Sequence, residues 1–529
     1  MAHEHPQVRD RTVALGVLAL LLLVVAMPIV LRPKNRAAWP EDTQSLIILT
    51  PHVQQIREEF ARAFDQWHQA KYGTRVRIDW RIPGGTSEIR RLLEAKYGAA
   101  IRQGKYTLDE HGVARFETGA LEFDMMFGGG SYDHGKLAAN NAARAAISGE
   151  EVAGPISAPP EPPFEQSQLD GWFGENVIGT GKLYHDDQYW FGTALSGFGF
   201  LYNRDVLRRL GVAEPKVFDD LTNPKLMGWI ALVDPRMSGS VATLYESILN
   251  AKGFDEGWRI LREMSANSRT FASSSTRTPI DVGQGEAAIG VCIDFYGRSQ
   301  AQSVSQPGTP PELARVGYAD PANEVYVDAD PISILAGAPN PVVARHFVEF
   351  CLTEQGQSLW QFHARETGYS SHQTEDGLGP AKYELRRMPA RRSMYERYMD
   401  RFVDKANPFL FASDAPNLRL RGSINVLMSS MAIDAHDELH HAWKMLNKAR
   451  ATSGFPASAL AEMEAVFYAM PEVVDKDGQK VLLSAENATD FGSLWRDEIT
   501  AAEARIACTR FFKGQYARVV VIAHEHGVR

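Results

Sequence analysis

The sequence predicts an α/β protein of two successive α/β units, preceded by an apolar helix and followed by a mostly helical extension. Three observations carry this prediction. From Ser45 onward short apolar runs alternate with amphipathic helical patterns, the order expected of a mostly parallel sheet with helices on its faces. Five prolines between Gly149 and Pro163 interrupt the alternation as a surface connection, and a fresh set of elements begins at Tyr189. Beyond about residue 370 the spacing of apolar residues becomes mostly helical.

The first element is Thr12–Leu31, twenty residues without a charge, long enough to cross ~30 Å of hydrocarbon as a helix. It exceeds a usual signal-peptide core, and Arg32, Pro33 and Lys34 follow it in place of a small-residue cleavage site. An uncleaved signal anchor is therefore favoured over a cleaved signal peptide. Arg9 and Arg11 before the run and Arg32, Lys34 and Arg36 after it leave its orientation open.

Ser45–Thr50 then reads as a strand, and His52–Tyr72, with Ile56, Phe60, Phe64 and Trp67 at helical spacing, as a helix. Arg75–Ile82 alternates Val76, Ile78, Trp80 and Ile82 as a second strand, and the turn Gly84–Glu88 opens a second helix. Ala100–Leu121 is a polar excursion before the strand Phe123–Phe127 and the loop Gly128–Gly135. In the second unit Tyr189–Asn203, Trp229–Asp234 and Ala287–Asp294 read as strands with helices between them, and Asp330–Gly337 is a strand leading to a long helix from Pro341 to Phe362.

Composition narrows the function. The chain of 529 residues carries a formal net charge of −9, which argues against a general nucleic-acid binder, whose affinity rests on basic residues. Cys292, Cys351 and Cys508 form no CxxC pair and fall in apolar segments, as small hydrophobes do. No cofactor motif stands out.

The order of several short stretches carries a resemblance. The opening strand ending TPH, FDMMFGGG, SGFGFLYNRDVL, FDDLTNPKLMGWIALVDPRMSGS, SSSTRTPIDVGQGEAAIGV and AGAPNPVVARHFVEFCLTEQGQSLW follow one another over about three hundred residues. As a set they resemble bacterial extracellular solute-binding proteins of ABC importers, of the periplasmic binding protein type II class and its ferric-ion-binding-like branch. The resemblance implies two α/β lobes joined by two crossing strands, with a solute clamped between them and delivered to an ABC permease and its ATPase subunit. It implies residues 1–40 as anchor and flank, 41–198 as the first part of lobe one, 199–325 as lobe two, 326–370 as the return to lobe one and 371–529 as the helical extension. The soluble part would lie on the periplasmic side of the cytoplasmic membrane, anchored through residues 12–31.

Four small polar loops stand where strands give way to helices: Gly85, Thr86 and Ser87; Gly129, Gly130 and Ser131; Ser238, Gly239 and Ser240; Ser275 and Thr276. Glycine permits close backbone approach, and a helix start presents free N–H groups and partial positive charge, so such loops suit an anion. Plain helix capping is the alternative for each. The ferric branch implies a histidine, a carboxylate and two adjacent tyrosines as iron ligands. Here His52 fits the first, glycines 128–130 replace the carboxylate, and Phe295 and Tyr296 stand where the tyrosine pair belongs. One tyrosine and one histidine are a poor cage for a hard ferric ion. A small anionic solute, phosphorylated or carboxylated, is therefore expected ahead of iron, with Ser196, Asp294 and Tyr296 added to the loops and His52 as ligand contacts. Asp294, one residue before the Phe295–Tyr296 pair, could contribute a carboxylate, although on a continuing strand it would face the other way from its neighbour Phe295.

The extension offers His436 and His440 four apart on one helix beside Asp437, Glu438 and His441. A metal-dependent hydrolase would need a third ligand, which the sequence does not identify, and the HExxH pattern fails because Asp437 holds the glutamate place. A solvated helix face is expected instead. No GxSxG elbow supports acyl transfer, so no enzyme is expected. The extension is expected to pack on lobe one or to enlarge the surface facing a partner.

Overall fold

A computed structural model describes residues 39–306, 309–367 and 377–529, with Gly16, Leu18, Leu20, Leu21, Leu23 and Met27 before them. The chain divides into a unit ending at Gln44 and a second from Ser45 to Arg529. Most of the expected anchor, residues 12–31, lies outside the described residues. Among the described residues no helix is long and apolar enough to cross a membrane.

The second unit opens with β1 (Gln44–Leu49), α1 (Gln54–Tyr72), β2 (Val76–Arg81), α2 (Thr86–Arg102), β3 (Met125–Phe127) and α3 (Ser131–Ala138). The long strand β4 (Phe191–Asn203) follows, then β5 (Ile230–Val233), α4 (Gly239–Lys252), α5 (Phe254–Ala266), β6 (Ser268–Ala272), α6 (Arg277–Gln284), β7 (Ile289–Ile293), α7 (Asp294–Ser303), β8 (Val316–Ala319) and β9 (Val327–Leu335). The sheet runs β6-β5-β7-β4-β9-β3-β1-β2. Its outer parts are parallel, as the βα repeats predict, with Ile48 beside Met125 and Ile230 beside Ile289. Its middle is antiparallel: β4 pairs with β7 through Gly290 and Leu201, and with β9 through Val327 and Gly197. These two long strands traverse both halves, so the molecule has two lobes on one twisted sheet.

Each lobe has its own core. Lobe one buries Phe60, Phe64, Phe127, Phe347 and Trp360 as an aromatic cluster. Lobe two buries Phe200, Leu232, Tyr245 and Trp258, and this core continues without a break into Trp443, Phe467, Phe512 and Tyr516 of the extension. The extension therefore packs on lobe two, not on lobe one. Its helices are α10 (Arg421–Met428), α11 (His436–Ala451), α12 (Ala457–Tyr468) and α13 (Glu498–Glu525). Arg262 of α5 pins them: it is 1% exposed, donates to the carbonyls of Phe467 and, at 3.2 Å, Ala469, and lies 5.2 Å from the Phe512 ring. Between α10 and α11 one turn widens to a π-helix at Ser429–Ile433. Its first two serines return their hydroxyls to the carbonyls of Asn425 and Val426 at 2.6 and 2.8 Å, competing with main-chain donors.

Three sequence expectations change. The predicted 341–362 helix is two, α8 (Pro341–Leu352) and α9 (Glu354–Gln361), because Thr353 caps the second by accepting from Gly356 N–H at 3.1 Å. The predicted strand 287–294 stops at Ile293, and Asp294 opens a helix. Residues 383–406, predicted helical, are mostly irregular, with an α-helix at Ser393–Tyr398 and a single 3-10 turn at Met399–Arg401. Pro389 lacks the N–H that a helix interior requires, and Met388–Pro389 instead pair with Leu195 and Ala194 of β4.

Candidate functional site

The β4–β9 crossing brings four segments together: the loop after β1, the loop between β3 and α3, the start of α7, and the extended stretch at 386–389. Their order follows from local sequence. Gly128 and Gly129 sit at φ 97° and 122°, and a Cβ on Gly128 would lie 2.5 Å from the His52 ring, while one on Gly129 would lie 2.5 Å from Thr86. Only glycine lets this loop close on its neighbours. On β9, Asp328 and Asp330 are two apart and so share a face.

Those two carboxylates already hold the glycine loop. Gly129 N–H donates to Asp330 at 2.7 Å, and Ser131 N–H, at the start of α3, donates to Asp328 at 3.2 Å. Asp330 also faces His52 Nε2 at 3.2 Å and forms a buried ion pair with Arg387. Arg387 reaches further, to His52 Nε2 at 2.9 Å, to Ser196 Oγ at 3.2 Å and over the Phe295 ring at 4.1 Å. Arg386, at φ 54°, has a backbone conformation uncommon for a side-chain-bearing residue, which turns the chain so that the two arginines diverge. Its guanidinium pairs with Asp404 and donates to the carbonyl of Arg298 at 2.6 Å, while Arg298 pairs with Asp320 and, at 3.4 Å, with Asp404.

Charge here is tightly constrained. Burial would raise Asp330, but Arg387 and His52 outweigh it and hold its pKa below the ordinary value. Burial lowers the pKa of His52 despite Asp330, leaving a neutral imidazole at pH 7. Asp294 is fully buried, and neither carboxyl oxygen has a hydrogen-bond partner. Burial pushes its pKa up to about 7 against the pull of Arg298. Tyr296 is half-buried and also raised by burial, with Arg387 acting against and Asp330 with that shift.

Half of the buried side-chain polar atoms without partners among the described residues are in this cluster: His52 Nδ1, both Asp294 oxygens, Arg298 Nε, Asp320 Oδ1 and Arg387 Nε. Buried polar groups are normally satisfied, so this concentration marks the cluster as the candidate site.

Of the residues singled out from sequence, His52, Gly129, Ser131, Ser196, Asp294 and Tyr296 lie in or beside this cluster. Gly130 abuts Asp328, and Thr86 abuts Gly129. Gly85 N–H is taken by Glu88 at 2.5 Å, the capping reading, and Ser87 is exposed. On lobe two, Ser238 and Ser240 bond each other at 3.1 Å, Gly239 gives its carbonyl to Arg421 at 2.7 Å, and Thr276 bonds Ser274 at 2.8 Å beside Ser275. Asp294 and Tyr296 share one helical turn of α7, in place of the continuing strand expected. The sequence reading missed Asp328, Asp330 and the arginines. The Asp-x-Asp spacing on a strand was a usable signal; the Arg-Arg pair lay in a stretch read as helix.

His436 and His440 face inward rather than to solvent. His436 Nε2 lies 3.0 Å from Ser268 Oγ, and His440 Nδ1 3.1 Å from the carbonyl of Ala266. They tie α11 to the junction of α5 and β6. Among the described residues no group of three His, Cys, Asp or Glu is arranged to hold a metal ion.

Comparison with known proteins gives the following. Residues 175–380 match the family model of bacterial extracellular solute-binding proteins. An uncharacterized protein of Haemophilus influenzae is 31% identical over 163 residues, 30% of this chain and 44% of that protein. The phosphoglycerate transport regulatory protein PgtC of Salmonella typhimurium is 27% identical over 166 residues, 31% of this chain and 39% of that protein. The chain thus spans about two fifths of the length of these curated relatives. Among solved structures, the periplasmic binding protein AfuA from Actinobacillus pleuropneumoniae with fructose-6-phosphate aligns at a TM-score of 0.41 and 19% identity, over 60% of this chain and 82% of that one. A Bordetella ferric binding protein aligns at 0.45 and 14%, over 75% and 99%.

Proposed function

We propose, on the premise that residues 175–380 are a bacterial extracellular solute-binding segment, that this chain is the extracytoplasmic solute-binding component of an ABC importer. Its cargo is a small anionic organic solute, phosphorylated or carboxylated, held at the β4–β9 crossing and delivered to a permease. The observation that carries the reading is the cluster of unpartnered buried polar atoms at His52, Asp294 and Arg387. Arg387 supplies charge and planar donors for the anionic group, and Asp294 and Tyr296 accept from or donate to hydroxyl or amine groups elsewhere on the solute. The name of the Salmonella relative, a phosphoglycerate transport regulatory protein, is in keeping with a phosphorylated organic cargo.

Two lobes joined by β4 and β9 are the arrangement of a hinge, and closure about Ser196–Asn203 and Asp320–Ile332 would bring the loops at Ser238–Ser240 and Ser275–Thr276 toward lobe one. A guanidinium 2.9 Å from His52 Nε2 opposes a trivalent cation there, which places iron behind an organic anion. Residues 12–31 are proposed as the anchor that keeps the protein at the outer face of the cytoplasmic membrane. A thermal-shift panel of organic phosphates and carboxylates on the full chain tests the reading. A solute at a hundredfold excess over Kd adds about 2.7 kcal/mol of stability, and Arg387→Met should abolish that gain.

A further inference from the structure

Asp330 makes the contacts that a bound anion would make in this loop. It accepts the Gly129 N–H at 2.7 Å, faces His52 Nε2 at 3.2 Å and pairs with Arg387, all at 2% exposure. Glycine-loop N–H groups, an imidazole and a guanidinium are the donors that protein sites offer to phosphate and carboxylate. The neighbouring donor, Ser131 N–H at the head of α3, is likewise filled from the same strand by Asp328. The donors of this loop are therefore taken by the protein's own carboxylates. Donor capacity is still left over, since Arg387 Nε has no partner, and the Phe295 ring 4.1 Å from the Arg387 guanidinium gives it a second surface to rest on.

We infer that Asp330 is a built-in counter-ion that stands in for the solute's anionic group, holding Arg387 ready and competing with the solute for it. This rests on reading the cleft as the solute site, and it adds a rule of selection. When a solute enters, Arg387 exchanges one carboxylate for another anion, so the anionic group alone gains little. Preference then falls on what else the solute offers to Asp294 and Tyr296. A bare inorganic anion is refused, and an organic anion with a hydroxyl or amine group is accepted.

The test is calorimetric titration of the full chain with inorganic phosphate. Wild type should bind phosphate no more tightly than millimolar. Asp330→Asn keeps the shape and removes the charge, and should bind phosphate at least tenfold more tightly; adding Arg387→Met should cancel the gain. Phosphate affinity in D330N equal to or below that of wild type overturns the inference, as does tight phosphate binding by wild type. Should D330N be unfolded in chloride, phosphate should fold it, read by circular dichroism, and failure to do so also overturns the inference. The solute-site reading fails by a different result: Asp294→Asn retaining the wild-type affinity for an organic phosphate.

Discussion

Replacing Asp294 by Asn should make the protein more stable at neutral and alkaline pH while weakening its binding. Asp294 is 0% exposed, and its carboxyl is displaced from an ordinary 3.8 to about 7, first by burial, with Asp320 adding to the shift and Arg298 and Arg387 opposing it. Between pH 4 and 7 the folded protein holds a proton that the unfolded chain has released, so stability falls as pH rises through that window. Above about pH 7 the loss is complete. A displacement of roughly three units corresponds to ~4 kcal/mol. The amide must itself be desolvated without partners, which takes back about 1–2 kcal/mol. Urea unfolding should therefore find D294N less stable than wild type by about 1–2 kcal/mol near pH 4 and more stable by about 2–3 kcal/mol at pH 8. A variant that is no more stable than wild type at pH 8, or whose advantage is the same at both pH values, refutes the reasoning. Gained stability with lost binding is the usual mark of a residue kept for function.

Other consequences are equally open to measurement. Arg387→Met leaves Asp330 buried without its counter-ion and should cost about 3–5 kcal/mol in chemical unfolding. Trp443→Ala removes a side chain that is 1% exposed, stacks on Phe467 and donates to Asn267 at 2.9 Å. It should cost about 3–5 kcal/mol, and lobe two should melt together with the extension in a single calorimetric transition; two resolved transitions contradict a shared core. His436→Ala deletes the hydrogen bonding to Ser268 at the start of β6 and His440→Ala that to the Ala266 carbonyl at the end of α5, and each should cost ~1 kcal/mol. Neither should change metal content by elemental analysis.

Much of the fold was legible in the sequence because it is written in periodicity. The βα alternation of lobe one and the paired helices 239–252 and 254–266 appear where spacing and glycine stops place them. What periodicity does not carry is pairing across distance. The antiparallel middle of the sheet depends on two strands from remote parts of the chain, and the apolar run of β4 looks the same whichever partner it finds. The stretch at 383–406 misled because its apolar residues are spaced as in a helix, although Pro389 marked it otherwise.

The site divides in the same way. His52, Ser196, Asp294 and Tyr296 could be named from local pattern, whereas Asp330 and Arg387 acquire meaning only when folding brings them to His52 from 278 and 335 residues away. Arg387 also lies outside the segment that matches the solute-binding family. Serines that looked equivalent in sequence are not equivalent in space: Ser196 receives Arg387, while Ser238 and Ser240 bond each other.

The central claim is that the β4–β9 crossing holds an anionic organic solute through Arg387 and Asp294. Calorimetric titration of the full chain and of its R387M and D294N variants with phosphoglycerate, other organic phosphates and carboxylates, and ferric citrate tests it most directly. The account predicts one-to-one binding of an organic anion that both variants lose or greatly weaken. Binding that neither variant affects, or binding of ferric iron alone with a visible tyrosinate band, would contradict it.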